Sequence, residues 1–189
     1  APFSEHDAGN GAAMRVLPIA LTLHDADDRS LQEAVRVQAH VTHNNPESDA
    51  ACEFLALALR DCLYGTHQRA LYRDRIKPFV SQPPQYHYRQ RSTDNPSGYV
   101  VDTLRAVLQC LMDTGSFEEC LIDVVNRGGD ADTTGAIAGM LAGARYGYQA
   151  IPRRWLATLD QTVCLRCQRQ AAALLHQRQD STGSAPIGD

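Results

Sequence analysis

The chain has 189 residues, 43% hydrophobic and 21% charged, with a formal net charge of −4 at pH 7. That length supports one well-buried core and is short for two domains. The acidic balance argues against nucleic acid or an anionic membrane as main partner, since phosphate binding needs a basic face.

No apolar run approaches the roughly 20 residues that span a bilayer, and no basic start followed by a hydrophobic stretch marks export. A transmembrane segment is therefore not expected. The first helical pattern covers residues 10–24, with Ala13, Met14, Leu17 and Leu21 on one face and a kink expected at Pro18. Ser30 with Glu33 reads as a capping box, opening a helix through Leu31, Ala34, Val35 and Val41. Asn45-Pro46 reads as an N-cap with proline at the first helical position, ahead of the apolar run Ala50, Ala51, Phe54, Leu55, Ala58, Leu59 and Leu63.

A weaker helix is predicted over residues 66–76. From Lys77 to Gly98 the periodicity fails among Pro78, Pro83, Pro84 and Pro96, which predicts a long irregular loop of the kind more often functional than idle. Helical spacing resumes from Tyr99 to about Asp113. Ser116 with Glu119 forms a second capping box leading to Asn126, a further helix starts near Asp132, and another spans about 153–177. Residues 180–189 are polar and rich in Gly, Ser and Pro, so a flexible tail is expected there. The prediction is an all-α, compact single-domain helical bundle over residues 1–179.

The six cysteines lie in apolar helical patterns, which predicts reduced, buried thiols in a cytoplasmic protein. Cys164 and Cys167 form a lone C-x-x-C without the second pair that a structural zinc site needs.

Chemistry concentrates in Asn126-Arg127-Gly128-Gly129-Asp130-Ala131-Asp132-Thr133-Thr134-Gly135. The paired glycines permit a sharp turn that side chains would block. Asp130, Asp132 and Thr133 offer hard oxygens suited to Mg²⁺ or Mn²⁺. The same spacing also fits a plain N-cap with acidic residues in the first turn. Gly135, Ala138, Gly139, Ala142 and Gly143 predict a central helix against which others pack closely. Gly9-Asn10-Gly11 runs into a helix and could cradle a phosphate on backbone N–H groups, or serve as an Asn cap. His43 lies at a helix end with His40 one turn earlier, either as metal ligands or as ordinary hydrogen-bonding residues.

Taken together, Gly9-Asn10-Gly11-Ala12-Ala13-Met14-Arg15, Thr42-His43, Ser97-Gly98-Tyr99-Val100-Val101-Asp102-Thr103-Leu104 and Gly128-Gly129-Asp130-Ala131-Asp132-Thr133-Thr134-Gly135 resemble the ADP-ribosylglycohydrolase family. The resemblance runs from the first residues to about Leu175. Ala1-Pro2-Phe3-Ser4 with Asp7-Ala8-Gly9-Asn10 is similar to the branch that reactivates ADP-ribosylated dinitrogenase reductase in nitrogen fixation.

The resemblance implies an all-α fold with a binuclear Mg²⁺ or Mn²⁺ centre that hydrolyses the N-glycosidic bond between ADP-ribose and a protein arginine. It implies Asp130, Asp132 and Thr133 as metal ligands, and Gly9, Asn10, Gly11, His43 and Tyr99 as substrate-binding residues, with Tyr99 packing on the adenine. The implied partners are an ADP-ribosylated protein and ADP-ribose, with no nucleic acid, on a monomer. The family's Thr-Asp-Asp-Thr run, the second half of its metal site, does not occur in this sequence. The chain accordingly reads as the C-terminal two-thirds of such a protein, lacking its N-terminal helices, and no catalytic base is assigned. The alternative is a non-catalytic ADP-ribose-binding fragment.

Overall fold

The computed structural model describes residues 1–4, 8–81, 84–89 and 93–176. The expected domain end at 179 and the tail beyond it lie outside them, as do Asp7 and Pro83. Every regular element among the described residues is helical, and two isolated bridges, Phe3 with Asn44 and Gly9 with Tyr99, are the extended pairings. The all-α prediction holds.

Helix α3 (Pro46–Leu63) is the centre of the bundle, packing against α1 (Val16–Thr22), α2 (Asp28–Ala39), α6 (Val100–Asp113) and α8 (Ala131–Tyr146). From Ala51 to Cys62 all its residues but Glu53 and Asp61 are buried, as the continuous apolar run requires. Its start is the predicted one: Pro46 sits at the first position and the Asn45 side-chain Oδ1 accepts from the Glu47 N–H at 2.8 Å. Helix α7 (Phe117–Asn126) also starts as predicted, with Ser116 Oγ accepting from the Glu119 N–H. The reciprocal bond reaches one residue further back, from the Gly115 N–H to Glu119 Oε2.

Several boundaries differ from the sequence reading, each for a local reason. A 3₁₀ turn (Ala13–Arg15) precedes α1, and the chain changes course at Arg15 (φ −103°, ψ 6°). Pro18 therefore falls in the first turn of α1, where a missing N–H costs nothing, and it kinks no helix. Met14 points outward and is exposed.

Asp27, not Ser30, caps α2: its carboxylate accepts from both the N–H and the hydroxyl of Ser30, while Glu33 pairs with Arg29 on the surface. That helix ends at Ala39, which leaves Val41 exposed. The irregular stretch expected from Lys77 begins later. After α4 (Gln68–Leu71) the chain widens into a π turn (Tyr72–Ile76) and returns to α5 (Lys77–Ser81). The wider turn absorbs the hydrogen bond Pro78 cannot donate, and Phe79 stacks on Phe54 at 4.2 Å between centroids, pinning α5 to α3.

The last predicted helix is two: α9 (Arg153–Thr158) and α10 (Gln161–His176). Leu159 is extended, and Asp160 starts α10 anew by accepting from the N–H groups of Thr162 and Val163.

Cys52, Cys62, Cys110 and Cys120 are buried free thiols, and burial pushes Cys52 up to about 12 and Cys62 to about 11. Cys164 and Cys167 depart from the expectation: on α10 they are half-buried and exposed.

The approach to α8 is set by two left-handed glycines, Gly128 (φ +75°) and Gly129 (φ +61°). A Cβ on Gly129 would stand 2.3 Å from the Pro96 carbonyl oxygen and 2.6 Å from the Asn95 carbonyl carbon, both backbone atoms that have no room to retreat. Two hydrogen bonds lock this crossing, Asn95 N–H to Arg127 O and Asp130 N–H to Pro96 O, each 2.8 Å. Gly129→Ala combines a left-handed backbone with a main-chain clash. It should lower unfolding free energy by about 2 kcal/mol or more in urea titration; an unchanged midpoint with unchanged slope would contradict this geometry.

Between α2 and α3, Arg60 is buried on the core helix and donates to Asp28 and to the Ala26 carbonyl, while Arg75 reaches Asp28 and Asp61. The Arg60 guanidinium chiefly, with Arg75, holds the Asp28 carboxyl below its ordinary 3.8, against a smaller opposing effect of burial. A carboxyl lowered on folding contributes stability above its unfolded pKa and loses it as pH falls through the folded value. Thermal unfolding between pH 6 and 3 should therefore fall less steeply below pH ~4 for Asp28→Asn. Near neutrality that variant should be less stable by at most about 1 kcal/mol, because the carboxylate is half exposed. Parallel curves would remove the pair from the acid response.

Candidate functional site

Three chain segments meet at the N-terminal end of α8. The first, residues 8–12, runs beside residues 98–100: the Asn10 N–H donates to Gly98 O and the Val100 N–H to Ala8 O, both at 2.9 Å. The second, residues 93–98, crosses under the Gly128-Gly129 turn. The third is Asp130 itself.

Asp130 occupies the N-cap position of α8. Its Oδ2 accepts from Asn10 Nδ2 at 2.7 Å. Asp130 thus holds the N-cap position with Asp132 in the first turn, as a plain cap would, but directs Oδ2 at Asn10 as well. The Asn10 amide chiefly holds the Asp130 carboxyl below its ordinary 3.8 against the opposing pull of burial, with the Thr133 hydroxyl and backbone N–H adding smaller stabilisation. Thr133 is buried behind it and Asp132 lies on the exposed rim.

Asn10 is itself buried, and both its amide N–H groups are engaged, one on Asp130 and one on Thr103 Oγ1 at 2.9 Å. Its backbone N–H is spent on Gly98. The Gly9-Asn10-Gly11 bend therefore does not offer a ligand the full set of Asn10 donors suggested by the sequence. What the two glycines do accommodate is His43. A Cβ on Gly9 would lie 2.8 Å from His43 Nε2, and one on Gly11 would lie 3.0 Å from Cε1. The imidazole lies against the bend, with Nδ1 2.7 Å from Thr42 Oγ1. His40 does not join it, since its Nε2 faces both carboxylate oxygens of Asp49 at 3.0 Å.

Tyr99 stands on the open side of the same bend, bridged to Gly9, partly exposed, with its hydroxyl donating to Glu47 Oε1 at 2.8 Å. Burial, reinforced by Glu47, pushes the Tyr99 phenol up to about 12. Gln85 Nε2 also donates to Glu47 Oε1, and the Ser48 hydroxyl to the Gly9 carbonyl. The first turn of α3 thus forms one wall of the cleft.

Asp130, Asn10, Gly9, Gly11, His43 and Tyr99 are accordingly brought together, although up to 120 residues separate them. Glu47 and Thr103 were not singled out in the sequence. Thr103 lies inside the Ser97–Leu104 motif, which was the available signal; Glu47 carried none, being one acidic residue in a helix's first turn.

The donor set of Asp130, Asp132 and Thr133 is two carboxylates and a hydroxyl, hard oxygens of the kind a divalent cation takes. It supplies about half of the octahedron that Mg²⁺ prefers. Among the described residues no group of three or more His, Cys, Asp or Glu is arranged to hold a metal ion.

α8 packs on α3, α6 and α7, so it is the central helix its small residues predicted. A Cβ on Gly135 would stand 3.1 Å from Val125 Cγ2, and one on Gly139 would be 3.9 Å from Leu121 Cδ1, an ordinary contact. Gly143 faces open space, so close packing does not explain it.

The ADP-ribosylglycohydrolase family model matches residues 1–184. The chain is 48% identical over 177 residues to the ADP-ribosyl-[dinitrogen reductase] glycohydrolase of Rhodospirillum rubrum, covering 93% of this chain and 58% of that protein. It is 32% identical over 159 residues to the ADP-ribosylarginine hydrolase Tri1 of Serratia proteamaculans, covering 82% of this chain and 43% of that one. The solved structure of an ADP-ribosylglycohydrolase-related protein complex superposes with a TM-score of 0.82 at 36% identity, over 92% of this chain and 62% of that chain. The chain thus spans less than two thirds of the length of each of these relatives. With the match running along nearly all of its residues and the fold shared, the protein belongs to the ADP-ribosylglycohydrolase family.

Proposed function

We propose that this chain forms the ADP-ribose-facing part of a hydrolase that cleaves the N-glycosidic bond between ADP-ribose and a protein arginine. The observation that supports it most is the pairing of the Asp130 carboxylate, at the N-cap of α8, with the side-chain amide of Asn10 in the Gly9-Asn10-Gly11 bend, 120 residues away. The names of two relatives, an ADP-ribosylarginine hydrolase and a dinitrogen-reductase glycohydrolase, support the substrate class. The 48% identity to the latter makes ADP-ribosylated dinitrogenase reductase the proposed protein partner.

Asp130, Asp132 and Thr133 would hold Mg²⁺ or Mn²⁺, which supplies charge for the ribose hydroxyls and acidifies bound water. This chain's own residues do the placing. Asn10 fixes the Asp130 carboxylate, His43 closes the floor under Gly9 and Gly11, and Tyr99, held by Glu47, would pack its ring on the adenine. Glycoside cleavage also calls for a carboxylate at the reacting carbon, and none of the described residues is assigned that part. A cytoplasmic monomer fits this role, and no helix among the described residues is long and apolar enough to cross a membrane.

The half-complete donor set favours a second reading for the 189 residues taken alone, an ADP-ribose binder without turnover. The expected outcome for the purified chain is therefore weak Mn²⁺ binding and no release of ADP-ribose from modified arginine; measured release would overturn it. Asp132→Ala should remove the Mn²⁺ binding, read by calorimetry, while leaving the unfolding midpoint within about 0.5 kcal/mol, because the side chain is exposed. Unchanged Mn²⁺ affinity would withdraw this residue from the metal set. Absence of heat with ADP-ribose, with or without Mn²⁺, would leave only a structural role.

A further inference from the structure

Thr103 is the fourth residue of α6 and is fully buried. A buried threonine in a helix ordinarily satisfies its hydroxyl on a carbonyl one turn back. Thr103 does that, lying 3.3 Å from Tyr99 O and 3.4 Å from Ser97 O. Its single proton serves those carbonyls, so its lone pairs remain to accept, and they accept from Asn10 Nδ2 at 2.9 Å, 93 residues away.

The same nitrogen faces Asp130 Oδ2. A carboxylate only accepts, so the amide must present nitrogen there, and this settles which way the Asn10 side chain is turned. The last torsion of an asparagine is broad, and nothing intrinsic to residue 10 aims it. With one N–H tied to Thr103, the other is directed at Asp130.

We infer that Thr103 is a positioning residue: through Asn10 it orients the Asp130 carboxylate for the cation and substrate, touching neither. This rests on the reading of Asp130 as a metal ligand given above. Groups one bond removed from a ligand orient it and tune its affinity, and their loss typically costs 10- to 100-fold in metal binding.

The test uses the 189-residue chain and three versions of position 103. In the wild type the Asn10 side-chain amide protons, followed by NMR, should exchange with water more slowly than those of surface asparagines. Thr103→Val keeps the shape and removes the acceptor; it should speed that exchange and weaken Mn²⁺ binding about tenfold by water-proton relaxation. Thr103→Ser restores the hydroxyl and should restore both, a recovery that a purely space-filling role would not produce.

Fast exchange at Asn10 in the wild type, or a valine variant with exchange and Mn²⁺ affinity unchanged, overturns the inference. Should the wild type bind no Mn²⁺, the metal reading falls on its own, and the exchange comparison still decides whether Thr103 aims Asn10. Should the valine variant fail to fold, Thr103→Ala takes its place as the variant without the acceptor, and faster Asn10 exchange there than in the wild type and Thr103→Ser decides the same question, unchanged exchange overturning the inference.

Discussion

One hydrogen bond, from Asn10 to Asp130, decides what the N-terminal end of α8 is for. Without it, an aspartate followed by Ala-Asp-Thr at a helix start is a cap and nothing more. With it, the carboxylate also ties the start of α8 to the opening segment of the chain. The rest of the local architecture protects this arrangement. Gly129 lets the chain turn over Pro96 with no side chain in the way, the Pro96 carbonyl takes the Asp130 N–H, and Gly98 leaves space beside Oδ2.

The bundle beneath supplies rigidity rather than chemistry. α3 is buried on nearly every side and α8 packs against it, so the two helices that flank the site are also among the enclosed elements of the core. A second polar spine braces the approach: Arg127 donates to Gln109 and pairs with Asp123, and Gln109 in turn accepts from the Thr93 N–H. These bonds give the Arg127 guanidinium and the Gln109 carbonyl oxygen partners at close range, and they tie the segment that crosses under Gly129 to α6 and α7.

Much of this was legible in the sequence, and the limits have physical causes. Helix α3 announced itself through Asn45-Pro46 and an unbroken apolar run, because cap chemistry and burial act within one segment. Ser30 misled because Asp27, three residues earlier, starts the helix first and takes Ser30's own N–H and hydroxyl, which leaves Ser30 inside the first turn. Lys77–Ser81 reads as loop by its proline, yet stacking of Phe79 on Phe54, a contact across 25 positions, holds it helical. At the site, the segments that would meet were identifiable, since glycines and acidic pairs are unusual locally. Which atoms would meet was not: the use of both Asn10 N–H groups and the recruitment of Thr103 and Glu47 depend on contacts over tens of residues, which no local pattern encodes.

The seating of His43 against Gly9 and Gly11 carries a consequence for how this protein can vary. An imidazole lying where two side chains would otherwise stand makes positions 9, 11 and 43 a single unit of change. A methyl at either glycine demands a smaller residue at 43, and a larger ring at 43 has no glycine left to displace. Drift in this corner of the molecule must therefore proceed by paired replacement, so that variants differing at one of the three without the others should be the rarest survivors in any random library.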